Sequence, residues 1–404
     1  MNAVGIDVSK GKSMIVVMRP FGEVVASPFE VHHTASELKE LADYLKSLDG
    51  ETRVIMEYTG RYFQPIANYL HEAGIFVCVI NALLIHDYGT TTLRRGKTDK
   101  KDAVKLANYA IDRWRDLSRY MPENDIRQML KSCNRQYSQY IKVKVMLRSN
   151  LIALLDQTFP GLNNIFPSAP RKDDGHFKWI DFAIKFWHSE CVRGISLNAF
   201  KKKYAQWCEK NRYNYSEDKA EKIYAVSFEH VTTLPQTDNT KLLVVQAAMQ
   251  LNTIIETLVS IMNEMRRLSQ MLPEYPVVSA MYGVGETLTP QLMAELGDVR
   301  RFYSKKALIA FAGIDAPPNQ SGTFEAKSRS ISKRGSPLLR KILFQVMFCL
   351  IKHSPQNEPI YQFLDKKRSE GKHYFVYMMA GANKFLRIYY ARVKEYMEQQ
   401  AVTA

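Results

Sequence analysis

Four acidic residues are placed where carboxylates do chemistry. Asp7 lies near the end of the apolar run Gly5-Ile6-Asp7-Val8-Ser9 and Glu57 closes Val54-Ile55-Met56-Glu57-Tyr58; both runs read as buried strands carrying an acid. Asp99 and Asp102, in Lys97-Thr98-Asp99-Lys100-Lys101-Asp102-Ala103, stand three apart, so on a helix they share a face. Carboxylates gathered at one edge of a sheet suit a hard divalent cation, Mg²⁺ or Mn²⁺, which takes oxygen ligands and keeps water or phosphate as the rest. That set suits phosphodiester chemistry. A plainer reading competes for the pair alone: Thr98 or Asp99 caps a helix and Asp102 completes its first turn. The strand-end acids tip the balance towards a metal site.

A second candidate lies far downstream. Gln320-Ser321-Gly322 follows Phe311-Ala312-Gly313-Ile314-Asp315-Ala316-Pro317-Pro318, and Lys327, Arg329, Lys333 and Arg334 come next, before Gly335-Ser336-Pro337 opens a helix. A serine beside glycine and among cations is placed to attack or receive a phosphate; taken alone, it is a turn residue. Upstream, Met281-Tyr282-Gly283-Val284-Gly285-Glu286-Thr287 precedes an apolar helix ending at Glu295-Leu296-Gly297. Gly283 and Gly285 would let backbone amides approach a phosphate, as in helix-hairpin-helix DNA binders.

The elements that must hold these residues follow from periodicity. Residues 2 to 7, about 12 to 18 and 23 to 31 read as an antiparallel meander with a Pro20-Phe21-Gly22 turn. A helix capped by Thr34 or Ser36, the strand ending in Glu57, a helix over about 62 to 73, the strand Ile75 to Ile80 and the Asp99 helix complete a mixed sheet flanked by helices. Ligands in such sheets gather at strand carboxyl ends.

From Asn124 to Thr158 the pattern Ile126, Leu130, Cys133, Tyr137, Tyr140, Lys144, Leu147, Leu151, Leu154 predicts a long helix with a coiled-coil seam, in which Lys144 is a fault. Val244, Ala248, Leu251, Ile255, Leu258, Met262 and Met265 predict a second, from about Lys241 to Leu272. The two either pair as an antiparallel arm or form a dimer seam. Between them lies a helical insert with starts near Ser196 and Ser216. Its basic and aromatic mix, Lys201, Lys202, Lys203, Tyr204, Trp207, Lys210, Arg212, Tyr213 and Tyr215, suits either an RNA or single-strand surface or a small domain with an aromatic core.

Composition narrows the partners. The 404 residues carry a formal net charge of +15, which favours a polyanion, nucleic acid before membrane. No apolar run reaches about 18 residues, the start carries no signal-peptide pattern, and a cytoplasmic, nucleoid-associated protein is expected. The five scattered cysteines contain no C-x-x-C pair and the histidines no metal spacing; His32-His33 read as strand-end residues. No phosphate-binding G-x-x-x-x-G-K-[ST] loop occurs.

The order of the pieces carries a resemblance. Asp7 with Val8-Ser9-Lys10, Met56-Glu57-Tyr58-Thr59-Gly60, the Lys97 to Ala103 stretch, Gly283-Val284-Gly285, Phe311-Ala312-Gly313 and Gln320-Ser321-Gly322 together resemble the DEDD insertion-sequence transposases of the IS110 family. It covers residues 1 to about 158 and about 274 to 395, leaving the insert outside. The resemblance implies an α/β, RuvC-like (ribonuclease-H-like) catalytic domain over 1–120 with DEDD acids at Asp7, Glu57, Asp99 and Asp102. It also implies a mainly α-helical transposase domain over 274–404 with its nucleophilic serine at Ser321. Coiled-coil helices at 121–159 and 239–273 and a basic insert at 160–238 are expected between them. Donor and target double-stranded DNA, a guide (bridge) RNA and a homo-oligomer, dimer or tetramer, are the implied partners. Ser321 would form a phosphoserine that a second strand's hydroxyl resolves. Nucleic-acid contacts are expected from Lys97, Lys100, Lys101, Lys201 to Lys203, Gly283, Gly285, Lys327, Arg329, Lys333 and Arg334. Two rivals are a RuvC-like junction nuclease using metal-activated water and a nuclease-fold RNA-binding scaffold without catalysis.

Overall fold

β1 (Asn2–Ser9), β2 (Lys12–Met18) and β3 (Val24–His32) form the meander, and Thr34, whose Oγ1 accepts from the Glu37 amide, caps α1 (Ala35–Ser47). β4 (Thr52–Glu57), α2 (Gln64–Glu72), β5 (Phe76–Ile80), α3 (Ala82–Tyr88) and α4 (Asp99–Asp112) follow. The strand order is β3-β2-β1-β4-β5, antiparallel across β1 to β3 and parallel from β1 through β4 to β5. This is the mixed sheet expected of a RuvC-like fold. The computed structural model describes residues 1–88, 98–166, 169–317, 320–321, 324–325 and 330–403, and the chain divides into two units, Met1–Pro122 and Glu123–Ala404.

Strand alternation sorts the side chains of the first unit onto two faces. Val4, Ile6, Val54 and Met56 pack with Leu38 and Leu41 of α1 and Ile66 and Leu70 of α2. Ala3 and Ile55 face the other way, onto Ala103, Leu106, Ala107 and Ala110 of α4. The approach of α4 is unusually close at Gly5, where a Cβ would fall 2.1 Å from the Ala103 carbonyl oxygen and 2.6 Å from the Ala107 nitrogen. Only a residue without a side chain lets helix and strand backbones touch there.

In the second unit, α5 (Asp125–Thr158) and α11 (Asp238–Gln270) are the long helices, with α6 (Leu162–Ile165), α7 (Lys178–Lys185), α8 (Glu190–Arg193), α9 (Leu197–Lys210) and α10 (Glu217–Glu229) between them. α5 and α11 pack on each other within one chain. They run antiparallel: Leu130 near the start of α5 shares a core with Met265 and Leu268, whereas Leu151 and Leu155 near its end share one with Val244 and Ala248. All seven seam residues expected on α11 are buried. Lys144 is half-buried with Nζ 5.4 Å from the Phe177 ring centre, and burial, then Arg148, pull its pKa down. A cation over a ring explains how the seam tolerates it.

Most of the insert's aromatics are core, although Tyr215 and Phe228 are exposed. Phe182, Phe200, Tyr204 and Trp207 pack together and with Leu155 and Leu251 of the long helices, so the insert is built onto the arm and does not enclose a core of its own. Ser196 and Ser216 cap α9 and α10 as expected. α11 is the one described helix long and apolar enough to cross a membrane, and its apolar side is taken up by α5 and the insert.

α12 (Tyr275–Ser279), α13 (Gly285–Leu296), α14 (Lys305–Ala312), β6 (Gln320–Ser321), β7 (Phe324–Glu325), α15 (Pro337–His353), α16 (Pro359–Ser369) and α17 (Tyr374–Thr403) complete the chain. Their core centres on Leu292, Leu343, Met347, Phe385 and Leu386. A buried fork of Arg127 on Glu274, with Nη1 to Oε1 at 2.5 Å and Nη2 to Oε2 at 2.9 Å, fastens the root of the arm to it.

Candidate active site

Asp7 and Glu57 share a face of the sheet. β1 and β4 pair in parallel with Ile6 opposite Met56, so the next residues along, Asp7 and Glu57, are neighbours near the strands' carboxyl ends. Ile6 and Met56 point to the α1/α2 side; by alternation the two acids point to the α4 side, and both are half-buried.

α4 brings its amino end to the same edge. Arg53, at the start of β4, donates to the Trp114 carbonyl just beyond α4 and lies 4.6 Å from the Trp114 ring centre, which puts the carboxyl end of α4 at the strands' amino ends. The helix therefore runs against β1 and β4, and its first turn, with Asp99 and Asp102, lies towards their carboxyl ends. Lys12, the first residue of β2, reports the proximity: Glu30 raises its pKa and Asp99 adds in the same direction. Thr98 is the N-cap, its Oγ1 accepting from the Lys101 amide at 3.3 Å. The capping reading and the edge placement are thus both satisfied, and the helix dipole favours acids in that turn.

The four donors are all carboxylate oxygens, the type a hard divalent cation takes. Among the described residues, no three Asp, Glu, His or Cys side chains stand close enough together to hold one. The fit is therefore in donor type and backbone position, and convergence would come from side-chain rotation. His32 and His33 belong elsewhere: the His32 amide donates to Glu37 at 2.7 Å, and His33 Nε2 lies 2.8 Å from Ser13 Oγ.

Tyr58 and Tyr62 were not among the expected nucleic-acid contacts. They are 47% and 49% exposed and bracket Arg61 directly after Glu57. The signal was a pair of aromatic residues around a cation beside a strand-end acid, a set able to stack on bases and hold a phosphate. Lys100 and Lys101 are exposed on the first turn of α4; Lys97 lies outside the described residues.

Ser321 is a strand residue, paired with Phe324 across a hairpin in which Gln320 faces Glu325. The backbone at the hairpin's base is stitched. Ser332 donates through N–H to Asp315 O at 2.8 Å and through Oγ to Asp315 Oδ1 at 2.5 Å; the Lys333 amide donates to Gly313 O at 3.0 Å. Lys333 holds a left-handed backbone, φ 55°. Gly313 and Gly335 touch backbone to backbone: a Cβ on Gly335 would fall 2.1 Å from Phe311 O and 2.5 Å from the Gly313 nitrogen. That contact accounts for the Phe311-Ala312-Gly313 and Gly335-Ser336 motifs. Ser336 caps α15 and donates to Glu295, which also accepts from Asn134 of α5. Lys333 and Arg334 are exposed; Lys327 and Arg329 lie outside the described residues.

Gly283 and Gly285 both have positive φ and differ in surroundings. A Cβ on Gly283 would meet the Val346 carbonyl at 2.8 Å, so its bareness serves packing on α15, whereas Gly285 faces open space. Lys201 is engaged by Glu217 at 2.8 Å and Glu221 at 2.6 Å, whereas Lys202 and Lys203 are exposed.

Known proteins resemble both halves of this arrangement. The DEDD IS110 family described as "Transposase" matches residues 4–160, and "Transposase IS116/IS110/IS902 family" matches residues 275–362. "Insertion element IS110 uncharacterized 43.6 kDa protein" of Streptomyces coelicolor is 21% identical, covering 97% of this chain and 94% of its own. "Pilin gene-inverting protein" of Moraxella bovis is 21% identical, covering 85% of this chain and 80% of its own. The IS116 44.8 kDa protein of Streptomyces clavuligerus is 20% identical with 97% and 94% coverage.

Proposed function

Because the chain belongs to the IS116/IS110/IS902 family of transposases, a DNA transposase or recombinase, we propose that it mobilises an insertion element by divalent-metal-dependent, RNA-guided strand exchange through a phosphoserine at Ser321. The observation that carries the metal half is the pairing of Ile6 with Met56, which sets Asp7 and Glu57 side by side on the α4 face of the sheet.

Asp7, Glu57, Asp99 and Asp102 are the residues that would hold Mg²⁺ or Mn²⁺. When bound, such an ion stabilises charge on a phosphate oxygen. The chain's own part is to orient four oxygens at one edge, with exposed Lys100 and Lys101 binding the DNA backbone beside them. Ser321 Oγ gives up its proton and bonds to phosphorus as the bond from phosphorus to the leaving sugar oxygen breaks; that oxygen leaves as a hydroxyl. A hydroxyl of the second strand then attacks the phosphoserine, forming the new diester and restoring the serine. Phosphodiester bond energy is kept throughout, so no nucleotide hydrolysis is needed. Guide-RNA binding is assigned to exposed basic surface, Lys202 and Lys203 among it, on a chain of net charge +15.

The experiment is strand exchange on a plasmid carrying the element's ends, with copurified RNA and added Mg²⁺, followed by denaturing gels for a protein–DNA adduct. A metal-dependent adduct in the wild type, lost in Ser321→Ala, supports the reading. Free cut ends with no adduct would favour a nuclease using water.

A further inference from the structure

A groove of about 970 Å³ opens among α15, α16, α17 and the two segments at the base of the Ser321 hairpin, represented by Ile314 and Lys333. Its charge is one-sided: Lys333, Arg340, Lys341, Lys384 and Arg387 line it, with no acid among its described lining residues. Three of these are engaged within the fold. Arg340 donates to the carbonyls of Ala312 and Gly335, Lys384 to that of Pro359, and Arg387 to Asn383 Oδ1. Lys333 and Lys341, both exposed, have no such side-chain partner among the described residues.

The groove is also aromatic. Phe344 of α15 and Phe375 of α17 stand 5.9 Å apart, ring centre to ring centre, at 30°. Phe375 is 61% exposed and its neighbour Val376 57%. An apolar ring left in water beside exposed cations is what an unpaired nucleic-acid strand requires: bases stack on the rings while phosphates meet the cations. A duplex keeps its base faces within its own stack and cannot use the rings.

We propose that this groove binds unpaired DNA, with bases against Phe375 and Phe344 and phosphates on Lys333 and Lys341. DNA is favoured over RNA by continuity. The wall bearing Lys333 follows the Ser321–Phe324 hairpin in the chain and is tied by Ser332 to Asp315, which precedes that hairpin; with Ser321 as the residue that meets the DNA strand, that strand would continue along this wall. The inference rests on the reading of Ser321 as the residue that meets the DNA strand.

The test is fluorescence anisotropy on the full-length protein with labelled oligo-dT of about twelve nucleotides, matched oligo-U and a duplex of the same length. Phe375→Ala and Phe375→Leu should each weaken oligo-dT binding about tenfold, leaving its salt slope and the duplex affinity unchanged. Lys341→Ala should reduce the salt slope by about 0.7. Because Phe375 is exposed, circular dichroism should find the variants folded. Wild-type affinity and slope in all three variants overturn the groove, and so does tighter binding of oligo-U than oligo-dT through these residues. Strand exchange separates this from the parent reading. A wild type that exchanges strands while the variants bind normally removes the groove alone; a wild type that binds oligo-dT through Phe375 yet never forms an adduct removes the serine chemistry and leaves the groove.

Discussion

Asp7 and Glu57 are adjacent across two parallel strands, each one step past the paired residues Ile6 and Met56, and both face the helix whose first turn carries Asp99 and Asp102. Parallel strands side by side put their carboxyl ends together, so two acids far apart in sequence become neighbours through register alone. The isosteric changes Asp7→Asn and Glu57→Gln keep shape and remove charge. Each should slow strand cleavage about a hundredfold to a thousandfold and leave the melting temperature within a few degrees, since both side chains are half-buried. Recombination at the wild-type rate in either variant removes that acid from the site.

Gly5→Ala tests the helix that carries the other two acids. Its Cβ would lie 2.1 Å from a backbone oxygen of α4, and backbone cannot swing aside as a side-chain end does. We expect a loss of about 1–3 kcal/mol in urea unfolding. Cleavage should fall as well, because α4 must retreat and take Asp99 and Asp102 with it. An unchanged unfolding midpoint would mean that the helix does not press on β1 as described.

Arg127 and Glu274 are 5% and 2% exposed, so either charge left alone is costly. Glu274→Gln should destabilise by about 3–5 kcal/mol, whereas Arg127→Met combined with Glu274→Leu should recover most of it. Equal instability of the single and double variants in denaturant melts would show that the pair's charge is not what matters.

Much of this was legible because periodicity survives folding. The rhythm from Val244 to Met265 named the buried side of α11, and the strands ending at Glu57 and Ile80 lie where alternation and turn residues put them. Which partner the long helices take was not legible, since a heptad seam is blind to whether its mate is in the same chain. The role of Gly5 was hidden for a related reason: the helix it admits lies about a hundred residues away, and a lone glycine in a strand does not say what touches it. Lys201 was read with Lys202 and Lys203 as one basic run, but helical spacing turns Lys201 towards Glu217 and Glu221 and leaves the others outward. Asp7 and Glu57 were legible as strand-end acids, whereas the groove over Phe344 and Phe375 was not, because its walls come from segments separate in sequence.

Acid should open the loop before α7. Arg171 donates to Asp174 and holds its carboxyl down at about 2, with the His176 amide adding to the effect. A carboxyl whose folded pKa lies below its ordinary value of 3.8 stabilises the fold above that value and ceases to as pH falls towards about 2. Hydrogen exchange in residues 171–177 should therefore accelerate between about pH 4 and pH 2, after correction for intrinsic rates. In Arg171→Gln the carboxyl returns towards its ordinary range, so its contribution is already missing at neutral pH and the acid acceleration should largely vanish. An acid acceleration of equal size in both proteins would rule out this pair as the cause.

Ser321 is the most exacting assignment, because three more serines follow within the same basic stretch. The structure ranks two of them. Ser332 spends its hydroxyl on Asp315 and receives the Arg334 amide, a role in holding the hairpin's base, whereas Ser330 is exposed; Ser328 lies outside the described residues. Ser321→Ala should lose the covalent protein–DNA adduct completely while DNA affinity stays within about threefold, since one hydroxyl adds little to a phosphate-dominated contact. Ser332→Ala should keep the adduct and reduce stability by about 1 kcal/mol through the lost bond to Asp315. Mapping the adduct by mass spectrometry decides between the positions. A DNA-linked peptide carrying Ser330 in the wild type, or an undiminished adduct in Ser321→Ala, would move the nucleophile from the hairpin to the strand wall that follows it.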